Sequence, residues 1–207
     1  MALATSTDIL EEERPTKLEF NSPSVGILSQ RLAGPGKYRV LDLGAPTRST
    51  VEFFSGRPCT YYVEDLNRFF IEPRTRRMPD DADDETSIAQ ALGFDHTLRF
   101  DLVLGWDLFS YMQRTTIELL MKRIARACRP GSLLFLTLAT GPTIPSVPAR
   151  VAMVSGGRLH YQIPANSQSI ANPRFSPTAL EGMMPGCRLL HSFLLGDHMQ
   201  EFLFSYT

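Results

Sequence analysis

The segment spanning residues 38–66 constrains the fold more than any other part of the chain. It opens with a short, nearly continuous apolar run at 38–43, which is typical of a strand buried on both faces of a parallel sheet. We expect a helix over about 49–55 and a second strand over 60–63, which is rich in aromatic and β-branched residues. This order of strand, helix and strand predicts a βαβ unit.

The same alternation continues toward the C-terminus. Residues 100–105 form a third apolar run, and apolar residues recur at helical spacing over 117–125 before a strand at 133–138. Residues 188–195 and 200–206 predict two further strands joined by a turn. The resulting fold class is α/β, with a mostly parallel central sheet, helices on both of its faces and a C-terminal antiparallel hairpin.

The length of 207 residues suits one domain. Residues 1–22 are polar and acidic, and we expect them to form a mobile N-terminal arm in front of a single domain over 23–207. A Pro-rich insertion interrupts the alternation at about 140–173. Within it, residues 151–154 and 159–163 flank a Gly-Gly turn and predict a β-hairpin over the functional edge of the sheet.

Composition and charge argue against several classes of function. The formal net charge of −1 and the pI near 6.4 differ from those of nucleic-acid-binding domains, whose pI usually exceeds about 9. The residues Cys59, Cys128 and Cys187 lack CxxC spacing and are odd in number, so we expect neither a metal site nor a disulfide framework. No apolar run approaches the roughly 18 residues that span a membrane, and the acidic start is unlike a signal peptide. We therefore expect a cytoplasmic protein that does not bind membranes.

Acidic residues and a glycine stand at the ends of the first two predicted strands. Asp42 and Gly44 follow the first strand, and Glu64 and Asp65 follow the second. Open α/β sheets bind ligands at the carboxyl ends of their strands, where a carboxylate can accept hydrogen bonds from both hydroxyls of a ribose. We expect Asp65 to do so, or Glu64 if the strand shifts by one residue. The alternative is that both acids cap the following helix.

A longer motif follows the third predicted strand. Residues 100–112 read Phe-Asp-Leu-Val-Leu-Gly-Trp-Asp-Leu-Phe-Ser-Tyr-Met. Together with Asp42 and Asp65, which lie 23 positions apart, this motif resembles the class I S-adenosylmethionine-dependent methyltransferases. The resemblance covers roughly residues 23–139 and the final hairpin. It implies a Rossmann-like methyltransferase fold, S-adenosylmethionine as the cofactor and methyl transfer as the activity.

The resemblance also implies candidate site residues. Those for cofactor binding lie at the strand ends and in the first turn, and are Asp42, Gly44, Thr47, Glu64, Asp65, Trp106 and Asp107. The catalytic residue stays unassigned, with Asp107 and Tyr111 as candidates because some acceptors need a general base. His96 is a further candidate contact, with a solvated loop position as its alternative. For Trp106 and Tyr111 the alternative is packing beneath the sheet edge.

The first turn departs from the family pattern. Pro46 and Arg48 occupy two positions where the family usually has glycine, and proline lacks a backbone donor. A reshaped loop allows Thr47 or Ser49 to contact the cofactor and Arg48 to pair with its carboxylate. A blocked loop leaves a catalytically inactive, methyltransferase-like binding or interaction module. A nicotinamide-dependent oxidoreductase is a third hypothesis, although the glycine fingerprint fits that cofactor less well.

The sequence does not identify the methyl acceptor. The near-neutral charge favours a small molecule or a protein over a nucleic acid. Because loops over a sheet edge usually carry selectivity, we expect the insertion at about 140–173 to form part of the acceptor site.

Overall fold

The computed structural model describes residues 15–70, 84–95, 97–165 and 167–207. Its elements follow in chain order as β1 (Thr16–Asn21), α1 (Pro23–Leu32), β2 (Tyr38–Asp42), α2 (Arg48–Ser55), β3 (Cys59–Val63), α3 (Leu66–Phe70), α4 (Asp84–Ala91), β4 (Phe100–Trp106), a 3₁₀ helix (Leu108–Tyr111), α5 (Arg114–Arg126), β5 (Cys128–Ala139), β6 (Thr143–Pro145), β7 (Arg150–Val154), β8 (Arg158–Ile163), β9 (Ser169–Ala171), α6 (Pro177–Met183), β10 (Cys187–Gly196) and β11 (Met199–Tyr206).

The central sheet has the strand order β3-β2-β4-β5-β11-β10. The first four strands of this order are parallel, and Asp42 lies opposite Val63 of β3 and Leu104 of β4. Strand β11 runs antiparallel to β5 and pairs antiparallel with β10. The predicted α/β class is confirmed, and the sheet is mixed rather than purely parallel because β11 and β10 join it in antiparallel orientation.

Helices cover both faces of the central sheet. Neighbouring residues of β4 point to opposite faces, so Val103 joins one apolar cluster and Leu104 the other. Helix α5 packs on the Val103 side, while α1 and α2 pack on the Leu104 side. Burying each large apolar side chain contributes about 1.5–3 kcal/mol. The two cores therefore hold the parallel strand ends in a fixed arrangement.

A second sheet, of order β1-β8-β7, covers the α2 side of the molecule. The predicted hairpin at 151–163 is present as β7 and β8, and Gly156 and Gly157 in its turn have φ of 81° and 72°, values that favour glycine. The backbone N of Met153 donates to the Thr50 Oγ1 of α2 at 3.1 Å. The insertion is thereby attached to the first turn of α2.

Strand β1 corrects the prediction of a mobile arm over 1–22. Residues 1–14 lie outside the described residues, but Thr16–Asn21 pair along their length with β8. Leu18 and Phe20 alternate with polar neighbours, and the Phe20 ring packs edge-on against Tyr161 at 5.3 Å between centroids. This alternation buries one face of β1, so the strand belongs to the folded domain.

Within the described ranges, no helix is long and apolar enough to cross a lipid bilayer. The three cysteines are free thiols, with Cys187 buried and Cys59 and Cys128 half-buried.

Candidate functional site

The sequence-predicted residues meet at one edge of the central sheet. The chain passes from β2 to β3 on one side and then to β4 on the other side of β2, which makes this edge a topological switch point. The backbone N of Glu64 donates to the Asp42 carbonyl at 2.8 Å, and that of Leu43 donates to the Leu104 carbonyl at 2.9 Å. The ends of the three strands are therefore held side by side.

Asp42 is a buried carboxylate with a full set of hydrogen bonds. Its Oδ1 accepts from the backbone N of Gly44 at 2.8 Å and from Trp106 Nε1 at 2.6 Å, and its Oδ2 accepts from the Tyr61 hydroxyl. Burial raises the pKa of Asp42 to about 6, although these hydrogen bonds oppose the rise. Asp42 thus joins the ends of β2, β3 and β4.

The close approach that Gly44 permits is made by Trp106. A Cβ at position 44 would lie 2.4 Å from Trp106 Cδ1, far inside van der Waals contact. Trp106 is buried, has φ of 49° and packs edge-on against Phe135. The Trp106 side chain thus packs beneath the sheet edge, which is the alternative to a ligand contact that the sequence left open.

The turn with the unusual residues begins α2. The Thr47 hydroxyl caps this helix by accepting from the backbone N of Thr50 at 3.2 Å. Pro46 precedes the cap, where a helix needs no donor. The Arg48 side chain is 91% exposed and pairs with Glu52 one turn later, at 2.8 Å. The turn is therefore reshaped into a capped helix start, with Arg48 directed toward solvent.

The two acids after β3 have different environments. Glu64 Oε2 accepts from the backbone N of Gly93 at 3.0 Å, so this carboxylate is attached to the segment after α4. Asp65 Oδ1 lies 3.4 Å from the backbone N of Arg68, a long capping contact at the start of α3. The predicted capping alternative thus applies to Asp65 and not to Glu64. Asp65 is half-buried.

A mainly apolar cavity of about 230 Å³ lies beside the end of β4. We call it the Asp107 cavity. Its lining comes from β1, the 3₁₀ region, the end of β5, the insertion, and the β10–β11 turn with the first residue of β11. These residues are Leu18, Asp107, Ser110, Tyr111, Ala139, Gly141, Pro142, Thr143, Ile144, Pro145, Ala149, Tyr161, Ile163, Asp197, His198 and Met199.

Asp107 is buried in this lining with part of its hydrogen-bonding capacity unused. Its Oδ1 has no hydrogen-bond partner among the described residues. Burial raises the pKa of Asp107 to about 7, against the opposing effect of backbone N–H groups at Asp107 and Ala149. Burial and then the nearby Asp107 charge raise the pKa of Tyr111. The cavity therefore combines an apolar body with an unsatisfied proton acceptor.

A second cavity, of about 490 Å³, lies against the first turn of α2 and is called here the loop cavity. It meets the Asp107 cavity at Leu18 and Tyr161, which line both. Its charged lining includes the three cations Lys17, Arg48 and Arg150 and the one carboxylate Glu19. The loop cavity is therefore the more basic of the two.

Several lining residues of the Asp107 cavity are not among the predicted site residues. Leu18 belongs to the predicted arm, although its alternation with Lys17 and Glu19 is a usable strand signal. Tyr161 and His198 come close to Asp107 only through the tertiary fold. His96 lies outside the described residues, and within them no group of three or more metal-binding side chains occurs.

Solved methyltransferase structures have a similar fold. CalS10, an amino pentose methyltransferase from Micromonospora echinaspora, matches with a TM-score of 0.54 and 16% identity, over 89% of this chain and 90% of that chain. A methyltransferase from Clostridium acetobutylicum matches with a TM-score of 0.52 and 10% identity, over 88% and 89%. The 1,6-didemethyltoxoflavin-N1-methyltransferase of Burkholderia thailandensis matches with a TM-score of 0.51 and 18% identity, over 89% and 77%.

This chain has the class I methyltransferase fold. The relation is visible in structure alone, since no protein-family model and no curated protein matches the sequence.

Proposed function

We propose that the protein transfers a methyl group from S-adenosylmethionine to a small-molecule acceptor. The observation that carries this proposal is the switch-point edge, where β2, β3 and β4 bring together Asp42, Gly44 and Asp65 in a methyltransferase fold. The names of two similar structures, an amino pentose methyltransferase and a toxoflavin N1-methyltransferase, support a small acceptor.

Asp65 is the proposed ligand of the ribose hydroxyls. Asp65 stands two residues after Val63, the residue of β3 that pairs with Asp42, so it lies at the switch-point edge. The Glu64 carboxylate instead accepts from the backbone N of Gly93 at 3.0 Å. An ionised carboxylate accepts hydrogen bonds from two neighbouring hydroxyls favourably. The residues present thus fit an adenosine group at this edge.

Asp42 and Trp106 are proposed to shape the edge. Asp42 fixes the backbone of Gly44 and the indole of Trp106 through two hydrogen bonds to one oxygen. Both groups are buried, so they change position little. S-adenosylmethionine supplies an electrophilic methyl group there, and the main task of the chain is to align the acceptor and exclude water.

The Asp107 cavity is the proposed acceptor site. It adjoins the end of β4, and the insertion contributes Ile144, Ala149 and Tyr161 to its lining. Asp107, with its raised pKa of about 7, is suited to take a proton near neutral pH. Tyr111 lines the same cavity and is proposed to position the acceptor.

Thermal unfolding with added ligands tests the cofactor. S-adenosylmethionine or S-adenosylhomocysteine at 100 times its dissociation constant should stabilise the protein by about 2.7 kcal/mol, or roughly 5–10 °C at this size. NAD at the same concentration should give no shift. Absence of a shift with both sulfur ligands would contradict methyl transfer and support the inactive binding module.

A pair of variants tests the ribose assignment. Asp65→Ala should weaken S-adenosylhomocysteine binding by about tenfold or more, because a charge-assisted hydrogen bond is lost. Glu64→Ala is the matched control and should change that affinity little, since Glu64 binds Gly93. Equal losses in both variants, measured by calorimetry, would reject Asp65 as the ribose ligand.

A further inference from the structure

The Asp107 cavity contains a buried polar atom that the protein itself does not satisfy. Asp107 Oδ1 lacks a hydrogen-bond partner among the described residues, and the Asp107 side chain is more than nine-tenths buried. Nearly all buried polar groups in proteins have partners, and an unpaired one carries a free-energy penalty. Asp107 lines the cavity, which points to a bound molecule as the missing partner.

The charges of the cavity lining exclude anionic ligands. Of the described residues that line it, none is Lys or Arg, whereas Asp107 and Asp197 contribute carboxyl groups. The adjoining loop cavity is more basic, with Lys17, Arg48 and Arg150 in its lining. A carboxylate or phosphate in the Asp107 cavity would lie beside an acid in an apolar environment, which is strongly unfavourable.

The size of the cavity limits the ligand further. Its volume of about 230 Å³ lies below the roughly 300–1,000 Å³ of sites for drug-sized molecules. The apolar lining from Leu18, Ile144, Ile163 and Met199 suits a compact hydrocarbon or aromatic body. The polar part of such a ligand must face a polar group of the lining, among which Asp107 is the buried carboxyl.

We propose that the Asp107 cavity binds a small, uncharged and largely apolar methyl acceptor, whose reacting N–H or O–H group donates a hydrogen bond to Asp107 Oδ1. This assignment rests on the proposed function and specifies its acceptor class. The lone pair of the acceptor heteroatom forms the bond to the methyl carbon of the sulfonium donor. The carbon–sulfur bond breaks with its electron pair left on sulfur, and the proton of the acceptor passes to Asp107 Oδ1.

Matched pairs of probes test the assignment by NMR titration of the wild-type protein at pH 8. The O–H pair is phenol and anisole, the N–H pair is indole and 1-methylindole, and benzoate is the anionic probe. The probes with a donor should bind at least about tenfold more tightly than their methyl-capped partners, because a hydrogen bond to a charged acceptor is lost. Shifts should centre on the methyl groups of Ala139, Ile144, Ala149 and Met199, and benzoate should not bind there.

Variants separate the hydrogen bond from steric effects. In Asp107→Leu the preference for phenol and indole should disappear while anisole still binds, since the cavity keeps its apolar lining. Asp107→Asn, which keeps the side-chain size, should reduce the preference if the Leu variant does not fold. Ser110→Ala removes another hydroxyl from the same lining and should retain the full preference.

The outcomes distinguish this assignment from the proposed function. Equal binding within both pairs, or a preference that survives in Asp107→Leu, overturns the assignment even if S-adenosylhomocysteine binds. A preference in one pair alone supports the assignment and identifies the acceptor atom as oxygen or nitrogen. A normal preference without binding of S-adenosylmethionine or S-adenosylhomocysteine overturns the role as a methyl-acceptor site.

Discussion

Two buried carboxylates lie at the ends of neighbouring strands of the central sheet, and they differ in how their oxygens are hydrogen-bonded. Asp42, at the end of β2, accepts hydrogen bonds from Gly44, Tyr61 and Trp106. Asp107, after β4, keeps an oxygen without a partner in the described part of the chain. Since an unsatisfied buried polar group costs about 1–3 kcal/mol, the contrast supports the proposal that Asp42 maintains the edge and that Asp107 contacts a ligand.

The largest expected effect comes from removing the Asp42 carboxylate. Asp42→Ala should lower the free energy of unfolding by roughly 3 kcal/mol or more, because the donors of Gly44, Tyr61 and Trp106 all lose their acceptor. Urea unfolding followed by tryptophan fluorescence measures this loss directly, since Trp106 is the one tryptophan of the chain.

Asp42→Asn is the matched control for this loss. The amide oxygen can keep the contacts from Gly44 and Trp106, and the amide N–H can donate to the Tyr61 hydroxyl. We expect a loss of less than about 1 kcal/mol, within the usual net value of one hydrogen bond. A loss in Asn as large as that in Ala would show that the negative charge, rather than the hydrogen-bond pattern, holds the edge together.

Adding one methyl group at the turn should have an intermediate effect. Gly44→Ala places a Cβ 2.4 Å from Trp106 Cδ1, and such overpacking typically costs 1–3 kcal/mol, or about 2 kcal/mol here. Gly26→Ala in α1 meets nothing within 4 Å and should stabilise by about 0.5–1 kcal/mol through helix propensity. Similar urea midpoints for the two variants would contradict the contact between Gly44 and Trp106.

The pH dependence of stability should report on Asp107. Its folded pKa of about 7 exceeds the unfolded value of about 3.9, so the folded state binds more protons between these values. Asp107 should therefore lower stability as pH rises from about 4 to about 7, by at most about 1.4 kcal/mol per unit. Asp42, whose folded pKa is about 6, should add a fall of the same sign up to about pH 6. Burial raises the pKa values of Tyr111 and Tyr161, which keeps both neutral in this range.

Asp107→Asn isolates this contribution. The variant should show a flatter dependence of the urea midpoint on pH between about 4 and 7 and should equal or exceed the wild type in stability at pH 8. Asp197 and His198, which line the same cavity, remain in both proteins. An unchanged slope would mean that Asp107 titrates at its ordinary value and that the cavity is more hydrated than its lining suggests.

The smallest effect is expected at Arg48. Its side chain is exposed and pairs with Glu52 at the helix surface, an arrangement that often contributes nothing measurable. Arg48→Ala should leave both the urea midpoint and S-adenosylhomocysteine affinity unchanged, as should Glu52→Ala. A clear loss of affinity in Arg48→Ala alone would support the sequence hypothesis that this residue pairs with the cofactor carboxylate.

The sequence predicts the parallel core of the fold well. The apolar runs of β2, β4 and the second half of β5 are nearly continuous, because strands buried on both faces need apolar residues at every position. The edge strand β3 is only partly buried and is recognised by its aromatic and β-branched residues. The acids that follow β2 and β3 could be located for the same reason. The different contacts of these acids could not be predicted, since Glu64 accepts a hydrogen bond from Gly93, a loop residue that the sequence does not place near β3.

The Asp107 cavity lies beyond what the sequence could predict. Its wall joins Leu18, Tyr161 and His198, which are far apart along the chain and meet only after two sheets have formed. The close contact between the Trp106 ring and Gly44 is also tertiary, so the spacing of the two residues in the sequence does not predict it. Local patterns indicate which residues are buried, whereas satisfaction of polar groups depends on tertiary neighbours.

The pairing of β1 with β8 has a consequence for folding. Thr16 pairs with Ile163, so β1 leaves the ribosome long before its partner strand has been synthesised. Contacts of such high sequence separation form slowly because closing the intervening loop is entropically unfavourable. We therefore expect the wall that Leu18 contributes to form after the strands of the parallel core, whose partners are closer in sequence.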